Sequence, residues 1–156
     1  MYPCYIKGFY CIQFLMFMPK DKQKSSFPKD AMSLFLEYCK DIDEWPDSWE
    51  IDEEDVKMGR DIVEQFKPFI INLIEKDLSK KTVKSYRDYL WALGGELIRQ
   101  INDDESERRL SARDLILKHV DNYGGPYWRH ASGESDDARY NSVCKKFYRF
   151  IMEKSD

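Results

Sequence analysis

The longest amphipathic pattern in the chain follows Ser79, and it constrains the fold more than any other feature. From Val83 to Ile101, apolar residues recur at spacings of three and four over about six turns, which indicates an α-helix with one buried face. Ser79 is a residue type that caps helix N-termini. The pair Gly94 and Gly95 costs about 2 kcal/mol relative to two alanines, so it predicts a close helix crossing or a bend. A helix of this kind needs partners, and the pattern therefore predicts a helical bundle.

Four further segments show the same spacing. One begins after Asp30, a plausible N-cap, and ends near Asp41. The others cover residues 52–74, 112–120 and 135–152. Pro68 is expected to kink or divide the first of these three, because proline has no N–H to donate within a helix. No segment alternates like a strand, so the predicted fold class is all-α, an orthogonal bundle of four to five helices.

At 156 residues the chain is long enough for one domain with a hydrophobic core, to which 10 Tyr, 9 Phe and 4 Trp can contribute much of the buried area. Composition and patterning divide the chain into three parts. These are an apolar segment with a polar linker at 1–28, a helix with an acidic, Trp-containing arm at 29–55, and a helical domain at 56–154.

The first 18 residues are apolar and aromatic, with Lys7 as their only charge. Three interpretations stay open. In the first, Met16 or Met18 is the true start and the preceding residues are an over-extended reading frame. In the second, the segment packs on the domain. In the third, it is a membrane or export signal. The apolar run of ten residues is shorter than the roughly 20 needed to span a bilayer, and no small-x-small cleavage pattern follows it. We therefore expect no membrane partner.

The acidic arm dominates the charge of the chain. Residues 41–55 contain nine carboxylates and no base, so a chain of net charge -4 carries +5 outside the arm. The arm also contains Trp45 and Trp49, which are expected to hold an extended segment against the bundle. Its last four acids are expected in the first turn of the next helix, where the helix dipole favours anions.

Nothing in the chain specifies a catalytic or metal site. The four cysteines are scattered, which favours reduced thiols in a cytoplasmic protein over a zinc site or a disulfide framework. His119 and His130 have no partners at ligand spacing, and no glycine-rich phosphate loop is present. The sequence therefore predicts no cofactor, no metal and no enzymatic activity.

Basic residues, in contrast, cluster on two predicted helices. Lys80, Lys84 and Arg87 follow i, i+4, i+7 spacing, with Lys81 beside them. On the last helix the spacing is i, i+7, i+10, with a further lysine nearby, and the residues are Arg139, Lys146, Arg149 and Lys145. Each face could be an ordinary solvated surface. The presence of two such basic faces in one acidic protein favours salt-sensitive binding to DNA phosphates.

The same region resembles the core-binding, SAM-like N-terminal domain of tyrosine recombinases, the phage integrases. In that family an amphipathic helix ends in a Leu-Ser turn, followed by Thr, Tyr and Leu at set positions. Here the matching residues are Leu78, Ser79, Thr82, Tyr86 and Leu90. The closing helix is similar over residues 140–150, and the whole resemblance covers about residues 56–154.

The resemblance implies a module that clamps one side of a DNA duplex in integration or recombination. It implicates Lys80, Lys81, Lys84, Arg87, Arg139, Asn141, Lys145, Lys146 and Arg149 as DNA-binding residues. The catalytic domain of that family needs a His-x-x-Arg motif. Neither histidine has it, since Asn122 follows His119 and Gly133 follows His130 at the third position. The resemblance thus implies DNA binding without strand cleavage.

Two other hypotheses use the acidic arm. In one, Trp45, Trp49 and residues 127–128 form an exposed surface for a protein partner, and the acids recruit a basic one. In the other, the arm folds over the basic faces as an internal DNA mimic, and deleting residues 41–55 strengthens DNA binding.

Overall fold

The computed structural model describes residues 29–155. All three interpretations of the N-terminal segment lie outside the described residues. Within the described range no strand is present, and one isolated bridge joins Asp121 and Gly124. The predicted all-α class is therefore confirmed. Residues 29–155 form six α-helices, which are α1 (Ala31–Tyr38), α2 (Trp45–Trp49), α3 (Asp55–Glu75), α4 (Lys80–Asp103), α5 (Ala112–His119) and α6 (Glu134–Glu153).

Three helices begin at side-chain caps, as their sequences predict. In each case a side-chain oxygen accepts a hydrogen bond from the backbone N–H three residues later in the chain. That N–H group has no carbonyl partner within the helix, so the cap satisfies it. The pairs are Asp30 with Ser33 at 2.7 Å, Ser79 with Thr82 at 3.2 Å, and Ser111 with Asp114 at 3.0 Å. Helix α6 instead follows Gly133 without a side-chain cap, and carries acids in its first turn.

Pro68 does not divide its helix. Helix α3 runs through it from Asp55 to Glu75, and Phe66 and Phe69 on either side of Pro68 are buried. Tertiary packing of this kind outweighs the local cost of proline in a helix.

The acidic arm is mainly helical, so the prediction of an extended segment was wrong. Residues Ile42–Glu44 form a 3-10 helix that leads into α2, and α2 brings the number of α-helices in the described part of the chain to six instead of the predicted four to five. Trp45 and Trp49 are 2% and 5% exposed. Burial of two indole rings makes this short helix stable, although five residues are too few to form a stable helix alone.

Helix α2 fits between α3 and α4 because glycines face it. A Cβ at Gly94 would lie 2.2 Å from the ring of Trp49, and one at Gly59 would lie 2.9 Å from the Cβ of Pro46. The close crossing predicted from Gly94 is confirmed, and the element that crosses is the arm.

One hydrophobic core joins the helices. Phe66 and Phe69 of α3 contact Phe147 of α6 with ring centroids 5.2 and 5.4 Å apart. Phe35 of α1 and the two tryptophans of the arm belong to the same core. Residues 29–55 therefore share their buried surface with the predicted helical domain.

A buried carboxylate fixes the end of the arm. Asp55 is 1% exposed, and one oxygen accepts from the backbone N–H groups of Ile51 and Asp52. Asn102 donates to the same oxygen at 2.9 Å, and Arg108 donates to the other oxygen at 2.7 Å. Burial opposes ionisation, but these hydrogen bonds outweigh it and lower the pKa of Asp55.

Cys39 and Cys144 are buried free thiols, and burial raises their pKa values to about 11 and about 12. Among residues 29–155 no group of His, Cys, Asp and Glu side chains is arranged to hold a metal ion. None of the helices in this range has the length and apolarity needed to cross a membrane.

Candidate nucleic-acid interface

Helices α4 and α6 pack side by side, and two tyrosines of α4 meet basic residues of α6. The Lys146 ammonium lies 2.5 Å from the Tyr86 hydroxyl and 5.1 Å from the centre of its ring. Tyr89 donates to Asp136 at 2.9 Å. Burial and Asp136 raise the pKa of Tyr89, and Arg139 acts in the opposite direction, which puts Arg139 beside this tyrosine. Basic residues of α6 therefore lie along the edge of α4.

The remaining basic residues of α6 lie farther along the same helix. Arg149 is exposed and lines a shallow pocket with Lys146 and Tyr86, while Lys145 is half-buried. None of Arg139, Lys145, Lys146 and Arg149 forms an ion pair with any of residues 29–155.

Lys81 and Lys84 are exposed on the outer side of α4 and line one groove. Among residues 29–155 neither lysine has a carboxylate within ion-pair distance. We group these two lysines with the four α6 residues as the candidate duplex surface, although Lys146 and Arg149 line a separate pocket and only Arg139 lies beside the groove residue Tyr89. The set consists of Lys81, Lys84, Arg139, Lys145, Lys146 and Arg149.

Lys80 is not counted in this surface, because its ammonium pairs with a carboxylate of α1. Its ammonium donates to Glu37 of α1 at 2.8 Å and lies 5.2 Å from the centre of the Tyr38 ring. Lys29 also pairs with Glu37, and the two lysines lower the pKa of Glu37 to about 2. The positive charge of Lys80 is therefore largely balanced within the chain.

Arg87 has to be removed from the predicted set. Its side chain is 17% exposed, and it donates to Asp41 at 2.7 Å and to the backbone carbonyl of Tyr38 at 2.8 Å. Its guanidinium also lies 5.7 Å from the centre of the Trp45 ring. Burial opposes ionisation of Asp41, but hydrogen bonds from Trp45 and the charge of Arg87 lower its pKa. Arg87 therefore binds the arm to α4 and offers no free charge to a phosphate.

Asn141 is also occupied within the chain. Its side-chain oxygen accepts from the backbone N–H of Gly125 at 3.1 Å, and its amide nitrogen donates to the backbone and side chain of Asp137. A Cβ at Gly124 would lie 2.1 Å from that oxygen, so the loop passes very close. Asn141 holds the glycine-containing loop on α6, which corrects its assignment as a DNA contact.

The acidic arm does not cover the candidate duplex surface. It packs against α3 and α4, and its ion pairs are Asp41 with Arg87, Asp43 with Lys67, and Asp55 with Arg108. Only the first involves a predicted DNA-binding residue. The hypothesis of an internal DNA mimic requires contacts between the arm and the basic faces, and among residues 29–155 the pair of Asp41 and Arg87 is the only such ion pair.

The predicted protein-binding surface is not assembled either. Trp45 and Trp49 are buried, and Trp128 is half-buried against Tyr89 and Tyr140, with ring centroids 5.9 and 5.3 Å away. Of the aromatics assigned to that surface, Tyr127 alone is largely exposed, at 80%.

Sequence reasoning missed Trp91. It lies seven residues after Lys84, a spacing that places both on one side of a helix, and it is 42% exposed. Its indole N–H donates to Ser48 at 3.0 Å. We call the open groove of about 860 Å³ on this side of α4 the tryptophan groove, and its lining residues are Lys80, Lys81, Lys84, Ser85, Asp88, Tyr89, Trp91, Trp128 and Asp136.

Comparison of the chain with family models, with curated proteins and with solved structures found no match.

Proposed function

We propose that this chain is a non-catalytic DNA-binding module that grips one side of a double helix with α4 and α6, in the manner of the integrase core-binding domains that its sequence resembles. The observation that carries the proposal is the six-residue candidate duplex surface. Its cations come from two adjacent helices, and among residues 29–155 none has a carboxylate within ion-pair distance; Asp88 and Asp136 interact with Lys84 and Arg139 from farther away. The SAM-like fold type and a role in DNA integration or recombination belong to the same proposal.

The physical basis is counterion release. Each Lys or Arg that contacts a phosphate releases condensed cations from the DNA, so binding weakens steeply as salt rises. Charges already balanced within the protein contribute little to this effect. The proposal therefore assigns Lys81, Lys84, Arg139 and Lys146 the main contacts, and leaves Arg87 and Asn141 out. Phosphate contacts of this kind position a protein on DNA without reading its sequence.

Fluorescence anisotropy with a labelled duplex of about 20 base pairs, at about 50 to 200 mM salt, tests the proposal. With four phosphate contacts the binding constant should fall with a log–log slope of about 3.6. Absence of binding at low salt, or affinity that does not change with salt, would contradict it.

Charge reversal distinguishes this surface from general electrostatic attraction. The double variant Lys81→Glu/Lys84→Glu should weaken binding by at least about tenfold, because both contacts become repulsive. The matched control is Lys57→Glu/Arg60→Glu, which makes the same net-charge change at two exposed positions on α3. Equal losses in the two variants would show that net charge alone drives binding.

A further inference from the structure

The tryptophan groove combines two features that one ligand class recognises together. Lys81 and Lys84 supply positive charge near one end, and Trp91 supplies an exposed indole about 10 Å farther along α4, at 1.5 Å per residue. Proteins that bind single-stranded nucleic acid pair such cationic positions for the phosphates with aromatic rings on which bases stack.

The aromatic residues of the groove are held in place by packing and hydrogen bonds. Ser48 accepts the hydrogen bond of the Trp91 indole, and Trp128 packs edge-on against Tyr89. A ring held in this way loses little conformational entropy when a base stacks on it. The groove also contains two carboxylates, Asp88 and Asp136. Asp136 already accepts hydrogen bonds from Tyr89 and from Ser132, so part of its charge is satisfied inside the chain.

The groove is continuous with the candidate duplex surface. Both contain Lys81 and Lys84, and the groove reaches Asp136 and Tyr89, beside which Arg139 lies. A strand that leaves a duplex on α4 and α6 would therefore meet Trp91 within about three nucleotides, at 3.4 Å per nucleotide.

We propose that the tryptophan groove binds the unpaired nucleotides of a single-stranded DNA tail next to the bound duplex, with a base stacked on Trp91 and phosphates at Lys81 and Lys84. This inference rests on the proposed function, and it names the preferred substrate as a duplex with an unpaired end. Duplex DNA cannot use the same ring, because its bases are already stacked on one another.

Competition between a blunt duplex and the same duplex with a tail of about four thymidines tests the inference. The tailed form should bind roughly fivefold or more tighter to the unmodified chain. Trp91→Leu, which keeps an apolar side chain but has no aromatic face, should abolish this preference and leave blunt-duplex affinity unchanged. Trp91→Phe should retain much of it.

Tyr127→Leu is the matched control, since it makes the same chemical change at an exposed aromatic residue outside the groove lining. It should leave the tail preference intact. Equal affinity for blunt and tailed DNA, or a preference that persists in Trp91→Leu, would overturn the inference while the proposed function stands. If neither DNA binds, both fail.

Discussion

Arg87 and Lys84 lie almost one turn apart on α4, yet their surroundings differ. Arg87 faces α1 and the acidic arm, where Asp41, a backbone carbonyl and the Trp45 ring surround its guanidinium. Lys84 faces the open groove and is exposed. Equal spacing in sequence therefore does not imply equal function, because the element packed opposite each residue decides whether its charge is used inside the molecule or left for a ligand.

The same contrast holds within the acidic arm. Asp55 is buried and hydrogen-bonded to Arg108, whereas Asp47 is exposed. Charges with internal partners should thus affect stability, and charges without them should affect only binding. The free energy of unfolding is one quantity on which these two kinds of charge should differ.

The largest effect is expected at Asp55. Asp55→Ala leaves the Arg108 guanidinium and two backbone N–H groups without their acceptor, and should lower the free energy of unfolding by about 3 kcal/mol. Urea denaturation followed by circular dichroism measures it. Asp47→Ala is the control and should change stability by less than about 0.5 kcal/mol. A loss at Asp47 as large as that at Asp55 would remove the distinction between the two kinds of carboxylate.

Arg87 comes next. Arg87→Ala should destabilise the chain by about 2 kcal/mol, because Asp41 and the Tyr38 carbonyl lose a donor that is only partly exposed to solvent. Arg87→Lys should recover part of this loss, since lysine keeps the charge but cannot donate in two directions from a planar group. If Arg87→Ala unfolds with an unchanged midpoint, the proposed attachment of the arm is incorrect.

Acidification should cause a smaller loss, because a protonated carboxyl group keeps its shape and some of its hydrogen bonds. The folded-state pKa values of Asp41 and Asp55 are lowered, so their contribution is complete above the unfolded-state pKa of about 3.9 and is lost as pH falls through the folded values. Stability should therefore decline below about pH 4. Asp55→Asn should show a shallower decline, and an unchanged pH profile in this variant would contradict the assignment.

The smallest effect on stability is expected at Lys84. Lys84→Ala removes an exposed charge with no ion-pair partner among residues 29–155, so the unfolding midpoint should stay within about 0.5 kcal/mol of the parent value. Under the proposed function, its DNA affinity should nevertheless fall a few-fold at low salt, and the salt slope should decrease by about 0.9. Loss of stability without loss of affinity would reverse the comparison between Lys84 and Arg87.

The helices were predictable because their signals are local. Apolar spacing and the caps Asp30, Ser79 and Ser111 specify where α1, α4 and α5 begin. The acidic arm was not predictable in the same way. Helix α2 is five residues long, and burial of Trp45 and Trp49 between α3 and α4 stabilises it rather than any local preference.

The same distinction between local and tertiary signals applies to the residues of the candidate site. Helical spacing alone is enough to put Lys81 and Lys84 on the outer side of α4, and it would have found Trp91 had aromatic residues been included with the lysines. Spacing could not reveal that Arg87 binds Asp41, 46 residues earlier in the chain, or that Asn141 holds the loop at Gly125.

The amino-acid sequence by itself determined the all-α class, the positions of the long helices and the close approach at Gly94, since these follow from periodicity, capping and the absence of a side chain. Tertiary structure alone decided which charges remain available to a ligand. The reason is that a charge becomes internal only when a distant segment brings it an oppositely charged partner, and pairing over such separations leaves no periodic trace along the chain.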